Sequence, residues 1–90
     1  MWKIRRGQAA PLSLTLYSRP GCHLCDLMRE TIRQVSTRIP LTLEDVDIST
    51  DHELVDLYGV DIPVLMAGER EIARHGVTAA ALEAKLRRMA

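Results

Sequence analysis

The chain has no phenylalanine, one tryptophan and two tyrosines among its 90 residues, so its core must be built from Leu, Ile, Val, Met and Ala. With aromatics at 3%, the stacking platforms on which single-stranded nucleic acids rest are nearly excluded. Net charge is missing too. Twelve Lys plus Arg balance twelve Asp plus Glu, which removes the electrostatic argument for a nucleic-acid or anionic-membrane partner. The longest apolar run, Ile62 to Ala67, falls far short of the roughly 18 residues a membrane span needs. The basic residues Lys3, Arg5 and Arg6 are followed by Gly7-Gln8-Ala9-Ala10 rather than an apolar stretch, so no signal peptide is expected, and a cytoplasmic location is. Cysteine is limited to Cys22 and Cys25. In a reducing cytosol, a bridge over so short a spacer would constrain the unfolded chain very little.

What is present is ordinary for a folded domain: 47% hydrophobic and 27% charged residues. Against roughly 150 residues per domain, this length allows one small domain and no separate regulatory module. The charges are unevenly spread. Residues 1–40 carry seven basic and two acidic side chains, residues 41–71 one and nine, and residues 72–90 four and one. The acidic middle reads either as a solvated face on an edge strand and a surface helix, or as a face for a basic partner.

Residues 1–10 read as a flexible basic lead-in and residues 11–90 as the single domain. Leu12, Leu14 and Leu16 alternate with period two, a strand that Arg19-Pro20-Gly21 breaks. From Cys22 the period changes. Leu24, Leu27, Met28, Thr31, Ile32, Val35 and Ile39 make the stripe of an amphipathic helix that Pro40 ends. Leu41 to Ile48 is a second strand whose apolar residues switch parity, which a bulge or an exposed edge position would reconcile. Thr50 and Glu53 form a capping box for a short helix ending at Gly59. Gly68-Glu69 suits a type II′ turn between two hairpin strands, and Thr78 caps a last helix whose Leu82, Leu86 and Met89 face inward. The expected fold is α/β. A βαβ unit, a short helix and a ββα unit share one mixed four-stranded sheet with helices on both faces.

The main functional signal is Cys22-His23-Leu24-Cys25 at the junction of a strand and a helix. Backbone N–H groups of the first helical turn and the positive end of the helix dipole favour a thiolate at Cys22. Arg19 adds a permanent positive charge and His23 a pH-dependent one. Cys25, one turn on, comes within disulfide reach. The competing reading is half of a zinc site, but there is no second cysteine pair and His23, His52 and His75 are not closely spaced. No metal is expected. Ile62-Pro63, heading a strand, is a natural place for a cis bond.

The stretches from Tyr17 to Cys25, from Asp45 to Ile48 and from Tyr58 to Leu65 resemble the glutaredoxin-like branch of the thioredoxin superfamily, small bacterial members in particular. The resemblance spans residues 12–89 and implies a thioredoxin-like fold, with Cys22 as nucleophile, Cys25 as resolving cysteine and Pro63 as the cis-proline against the disulfide. Arg19 stands for the lysine of the family's Tyr-Ser-Lys segment. Where glutaredoxins have Cys-Pro-Tyr-Cys, this chain has His23 and Leu24 between the cysteines. Their Thr-Val-Pro becomes Asp61-Ile62-Pro63, and their Gly-Gly-Cys-Asp becomes His75-Gly76-Val77-Thr78. An acid at Asp61 and a threonine at Thr78 predict weak affinity for glutathione.

The expected activity is thiol–disulfide exchange through Cys22, Cys25 and Pro63, with Arg19, His23, Ile62 and Gly76 binding substrate. Ile62 would offer its backbone to an extended segment. Expected partners are a disulfide-containing protein or a low-molecular-weight thiol, with a reductase or glutathione as electron donor and no tightly bound cofactor. A monomer is expected. The rival reading is a binding module without enzymatic turnover, or a carrier that holds an iron–sulfur cluster through Cys22.

Overall fold

The computed structural model describes residues 11–89; the proposed lead-in, residues 1–10, lies outside them. Strand β1 (Leu12–Ser18) leads into helix α1 (His23–Ser36) and strand β2 (Leu41–Asp47). A 3₁₀ turn (Ile48–Thr50) and helix α2 (His52–Tyr58) follow, then the hairpin β3 (Val64–Ala67) and β4 (Arg70–Arg74), and helix α3 (Ala79–Met89). The sheet order is β2-β1-β3-β4, with β1 and β2 parallel and the other two pairs antiparallel. This is the mixed four-stranded sheet the sequence predicts.

Period two in β1 sends Leu14, Leu16 and Ser18 into the interior, and Tyr17 to the opposite face. On the leucine face, α1 and α3 pack against each other and against Leu65, Ile72 and Ala73. On the other face, the Tyr17 ring stacks on Tyr58 of α2, with ring centroids 4.5 Å apart. Helices therefore cover both faces. Gly68, at a φ of 61°, takes the first central position of the hairpin turn, and Glu69 does not share the positive φ. That is the backbone a type II′ turn requires.

Two local expectations need correction, and one pair of alternatives is decided. The buried side of α1 is Cys25, Met28, Ile32 and Val35, whereas Leu24 and Leu27 are about half exposed. The helix begins at His23 and its axis turns those two leucines away from the sheet, so apolar identity alone misplaced the stripe. Strand β2 pairs with β1 without interruption from Leu12↔Leu41 to Ser18↔Asp47, so its parity switch is that of an exposed edge strand. The irregularity in the sheet lies instead between Leu65 and Met66. Finally, the cap of α2 is Asp51, whose carboxylate accepts from Leu54 N–H at 3.1 Å, and not Thr50. Either side chain is a competent cap; Thr50 is already used in the 3₁₀ turn.

Candidate active site

β1 ends at the buried Ser18, and the chain must then turn sharply to start α1. Gly21 makes that turn at a φ of 76°, a backbone that costs a residue with a Cβ about 1–2 kcal/mol. Cys22 follows in an extended conformation as the N-cap of α1. Its Sγ accepts a hydrogen bond from Cys25 N–H at 3.1 Å, the place a serine or aspartate oxygen holds in most helices. The two cysteines form a disulfide, with Cα atoms 5.2 Å apart. Cys25 is completely buried and Cys22 is half-buried. The pair is thus asymmetric. One sulfur faces solvent and a helix N-terminus; the other is enclosed.

Around the pair is a small apolar cluster in which Cys25, Ile48 and Ile62 are buried and Tyr17, Cys22, Leu54 and Tyr58 pack against them. Pro63 is fully buried and the Ile62–Pro63 peptide is cis. The structure therefore gathers Cys22, Cys25 and Ile62 into one place, with Pro63 next in the chain. The Pro63 carbonyl accepts from His75 N–H at 2.8 Å, which ties the loop before α3 to the loop before β3. Ile62 takes no part in the backbone hydrogen bonds of loops and caps among the described residues.

Gly76 lies in that tied loop. Together with His75 and Val77 it faces Leu24 and Leu27 of α1 across a groove of about 370 Å³. This explains the exposed leucines: they form one wall of an open groove that starts at the cysteine motif. Arg19 and His23 are exposed, on the β1–α1 turn and the first turn of α1, and neither forms an ion pair among the described residues.

Asp61 is not the free negative charge that sequence reasoning assumed. Arg74 pairs with it at 2.9 Å, and His75 Nε2 lies 3.7 Å away. Thr78 is also engaged, its Oγ1 accepting from Ala81 N–H at 3.1 Å as the cap of α3.

A polar network behind the cysteines was missed altogether. Ser18 donates its hydroxyl hydrogen to Asp45 of β2 at 2.7 Å and accepts from Arg29 of α1 at 2.8 Å. Arg29 also pairs with Asp45 at 2.5 Å and with Asp26 at 2.6 Å. Burial pushes the Asp45 carboxyl up, but the hydrogen bonds from Arg29 and Ser18 outweigh it and hold the group below its ordinary range. The Arg29 guanidinium is held above its own by Asp45. The network fastens the ends of β1 and β2 to the second turn of α1. No sequence signal marks it beyond the acid-rich end of β2. Among the described residues no three His, Cys, Asp or Glu side chains come together to hold a metal ion.

Residues 13–87 match the family model described as a glutaredoxin-like domain (DUF836). The chain belongs to this glutaredoxin-like family. Its fold is similar to that of protein XcR50 from X. campestris, at 36% identity and a TM-score of 0.72 over 83% of this chain and 96% of that one. Protein Ne2328 from Nitrosomonas europaea is 30% identical with a TM-score of 0.75, over 86% and 93%. Thioredoxin 1 from Thermosipho africanus, 16% identical with a TM-score of 0.61 over 86% and 92%, shares the fold. This glutaredoxin-like chain therefore has a thioredoxin-like fold and a cysteine pair at disulfide distance.

Proposed function

We propose that this glutaredoxin-like protein is a thiol–disulfide oxidoreductase. One observation carries the reading: Cys22 caps α1 with its sulfur accepting the Cys25 N–H, while Cys25 is sealed from solvent. In the dithiol form the same N–H and the helix dipole stabilise a thiolate at Cys22 and do nothing comparable for Cys25. Nucleophile and resolving thiol are thereby distinguished.

The cycle follows with its atoms and electrons balanced. The Cys22 thiolate attacks one sulfur of a substrate disulfide, forming a mixed disulfide and expelling the other sulfur as a thiolate, which takes up a proton. Cys25 then loses its proton and attacks the Cys22 sulfur, which releases the second substrate thiol and closes the Cys22–Cys25 bridge. Two electrons have moved from the protein to the substrate. A dithiol reductase or two glutathione molecules return them. In this reading Ile62 offers its N–H and C=O to an extended substrate segment, Gly76 leaves room for it at the groove, and Arg19 and His23 stand at the rim of the leaving thiolate. No described helix is long and apolar enough to cross a membrane, and the reducing cytoplasm is the compartment where the cycle would run.

The test is turnover of hydroxyethyl disulfide, coupled in parallel to glutathione with its reductase and to a thioredoxin reductase. The parent turns over with at least one donor. Cys22→Ser abolishes exchange, and Cys25→Ser accumulates a mixed disulfide visible as added mass. Iodoacetamide alkylates Cys22 before Cys25 in the dithiol form. Turnover by Cys22→Ser, or preferential labelling of Cys25, refutes the roles.

A further inference from the structure

Helix α2 packs inward through Leu54 and Tyr58, which touch the cluster around the cysteine pair. Its outward side is unusual. Glu53, Asp56 and Leu57 stand at the i, i+3 and i+4 positions that share one helical stripe, Val60 follows in the turn after the helix, and all four are exposed. Leu57 is 65% and Val60 93% exposed. Single exposed leucines are common on any surface. Two together, interleaved with acids, are a patch with a chemical preference.

The charge around the stripe makes the preference stronger. Residues 41–63 contain seven acidic side chains and no lysine or arginine. Asp45 pairs with Arg29, which also holds Asp26, and Asp61 pairs with Arg74, which also holds Glu71. Glu53 has no cationic partner among the described residues, and the one beside Asp56 is His52, with Nδ1 at 4.0 Å. The helix thus presents apolar surface in a field of uncompensated negative charge. A lysine- or arginine-bearing surface with an apolar side chain at its centre satisfies both features at once.

We propose that this stripe docks the protein partner with which Cys22 exchanges disulfides, and that the partner's reactive cysteine is flanked by apolar and basic side chains. The inference rests on the oxidoreductase reading and adds the partner's chemistry to it. Val60 is three residues before Pro63, and α2 shares a packing cluster with Cys22, so the stripe and the reactive sulfur belong to one neighbourhood of the fold.

The test uses three disulfide probes against the dithiol form of the full chain, followed by stopped-flow mixing. They are the disulfide-linked dimer of the peptide Lys-Lys-Leu-Cys-Lys, the corresponding dimer of Glu-Glu-Leu-Cys-Glu, and hydroxyethyl disulfide. Each reaction oxidises the protein's two thiols to a bridge and reduces the probe to two thiols. At ~10 mM salt, where screening extends over roughly 30 Å, the lysine probe reacts about tenfold faster than the glutamate probe. In ~1 M salt that preference collapses. The double variant Glu53→Lys with Asp56→Lys reverses it, and Leu57→Ser with Val60→Ser slows the lysine probe while preserving its salt dependence. All variants reduce hydroxyethyl disulfide at the parental rate, since none touches the sulfurs. Normal turnover of hydroxyethyl disulfide with equal rates for the two peptides, or a preference unmoved by charge reversal, overturns the docking surface alone. Failure of the parent with all three probes overturns the oxidoreductase reading and the docking surface with it.

Discussion

Replacing Arg29 with methionine keeps most of the aliphatic stem and deletes the cation of the network behind the cysteines. Three contacts are lost. The pair with Asp26 is a surface i,i+3 contact, for which about 0.3–0.5 kcal/mol is ordinary. The bond to Asp45 is better shielded, with the two side chains 35% and 36% exposed, so the roughly 1.5–3 kcal/mol of a charged hydrogen bond is discounted for solvent to about 1–1.5 kcal/mol. Ser18 keeps its bond to Asp45, and losing only the Arg29 donation costs about 0.5 kcal/mol. The expected destabilisation is about 2 kcal/mol near pH 7, or a Tm lower by roughly 8–16 °C for a domain of this size. The pH dependence identifies the source. The folded-state pKa of Asp45 lies below its unfolded value, so its contribution is fully present above the unfolded value near ~4 and is lost as pH falls through the folded one. Urea unfolding of parent and Arg29→Met should therefore differ by a constant amount between about pH 5 and 8, and the difference should shrink as pH falls below about 4. A difference under about 0.5 kcal/mol at neutral pH, or one that does not shrink on acidification, refutes the assignment.

Other perturbations probe the frame and the rim of the site. Leu82→Ala, at a fully buried position in the core between α3 and the sheet, should cost about 3–5 kcal/mol in chemical denaturation. Thr78→Ala removes the α3 cap and should cost about 1 kcal/mol with exchange rates preserved. Gly68→Ala meets no atom within 4 Å, so its expected loss of about 1–2 kcal/mol is backbone strain alone, and an unchanged urea midpoint would contradict the turn assignment. For glutathione, Asp61→Asn should tighten binding and Arg74→Gln should weaken it in a chemical-shift titration, because Arg74, shared with Glu71, only partly offsets the carboxylate that would repel the ligand. Identical saturation in parent and both variants would remove Asp61 from the argument.

The fold was largely legible because its decisive signals are local. The leucine alternation of β1, the change of period at Cys22, the glycine-first hairpin turn and the Thr78 cap each act within a few residues, and the structure contains all of them. Misreadings arose where two local solutions were physically equivalent. Thr50 and Asp51 are both competent caps, and the backbone decides between them only once the 3₁₀ turn has formed. On α1, Leu24 and Leu27 belong to an apolar arc wider than the buried face, and only the position of the loop before α3 makes them a groove wall.

At the site, the cysteine spacing and its place between strand and helix were enough to locate the pair that the structure brings to disulfide distance. Its electrostatic surroundings were not, because they depend on which charges meet across the fold. Asp45 and Asp61 look alike in the sequence, each an acid near the end of an acidic stretch, yet each pairs with an arginine 13 or more positions away that also holds a second carboxylate. Counting charges along the chain therefore overstates the negative potential beside the cysteines. It understates the contrast on α2, where Glu53 and Asp56 meet no arginine or lysine among the described residues. Long-range pairing thus offsets Asp45 and Asp61 in part and leaves Glu53 and Asp56 without an arginine or lysine partner among the described residues. A glutathione carboxylate brought to Asp61 would meet a repulsion that Arg74 only partly offsets, while a basic protein surface would find an acceptor on α2. This separation is what makes the small-thiol and protein-partner tests independent of each other.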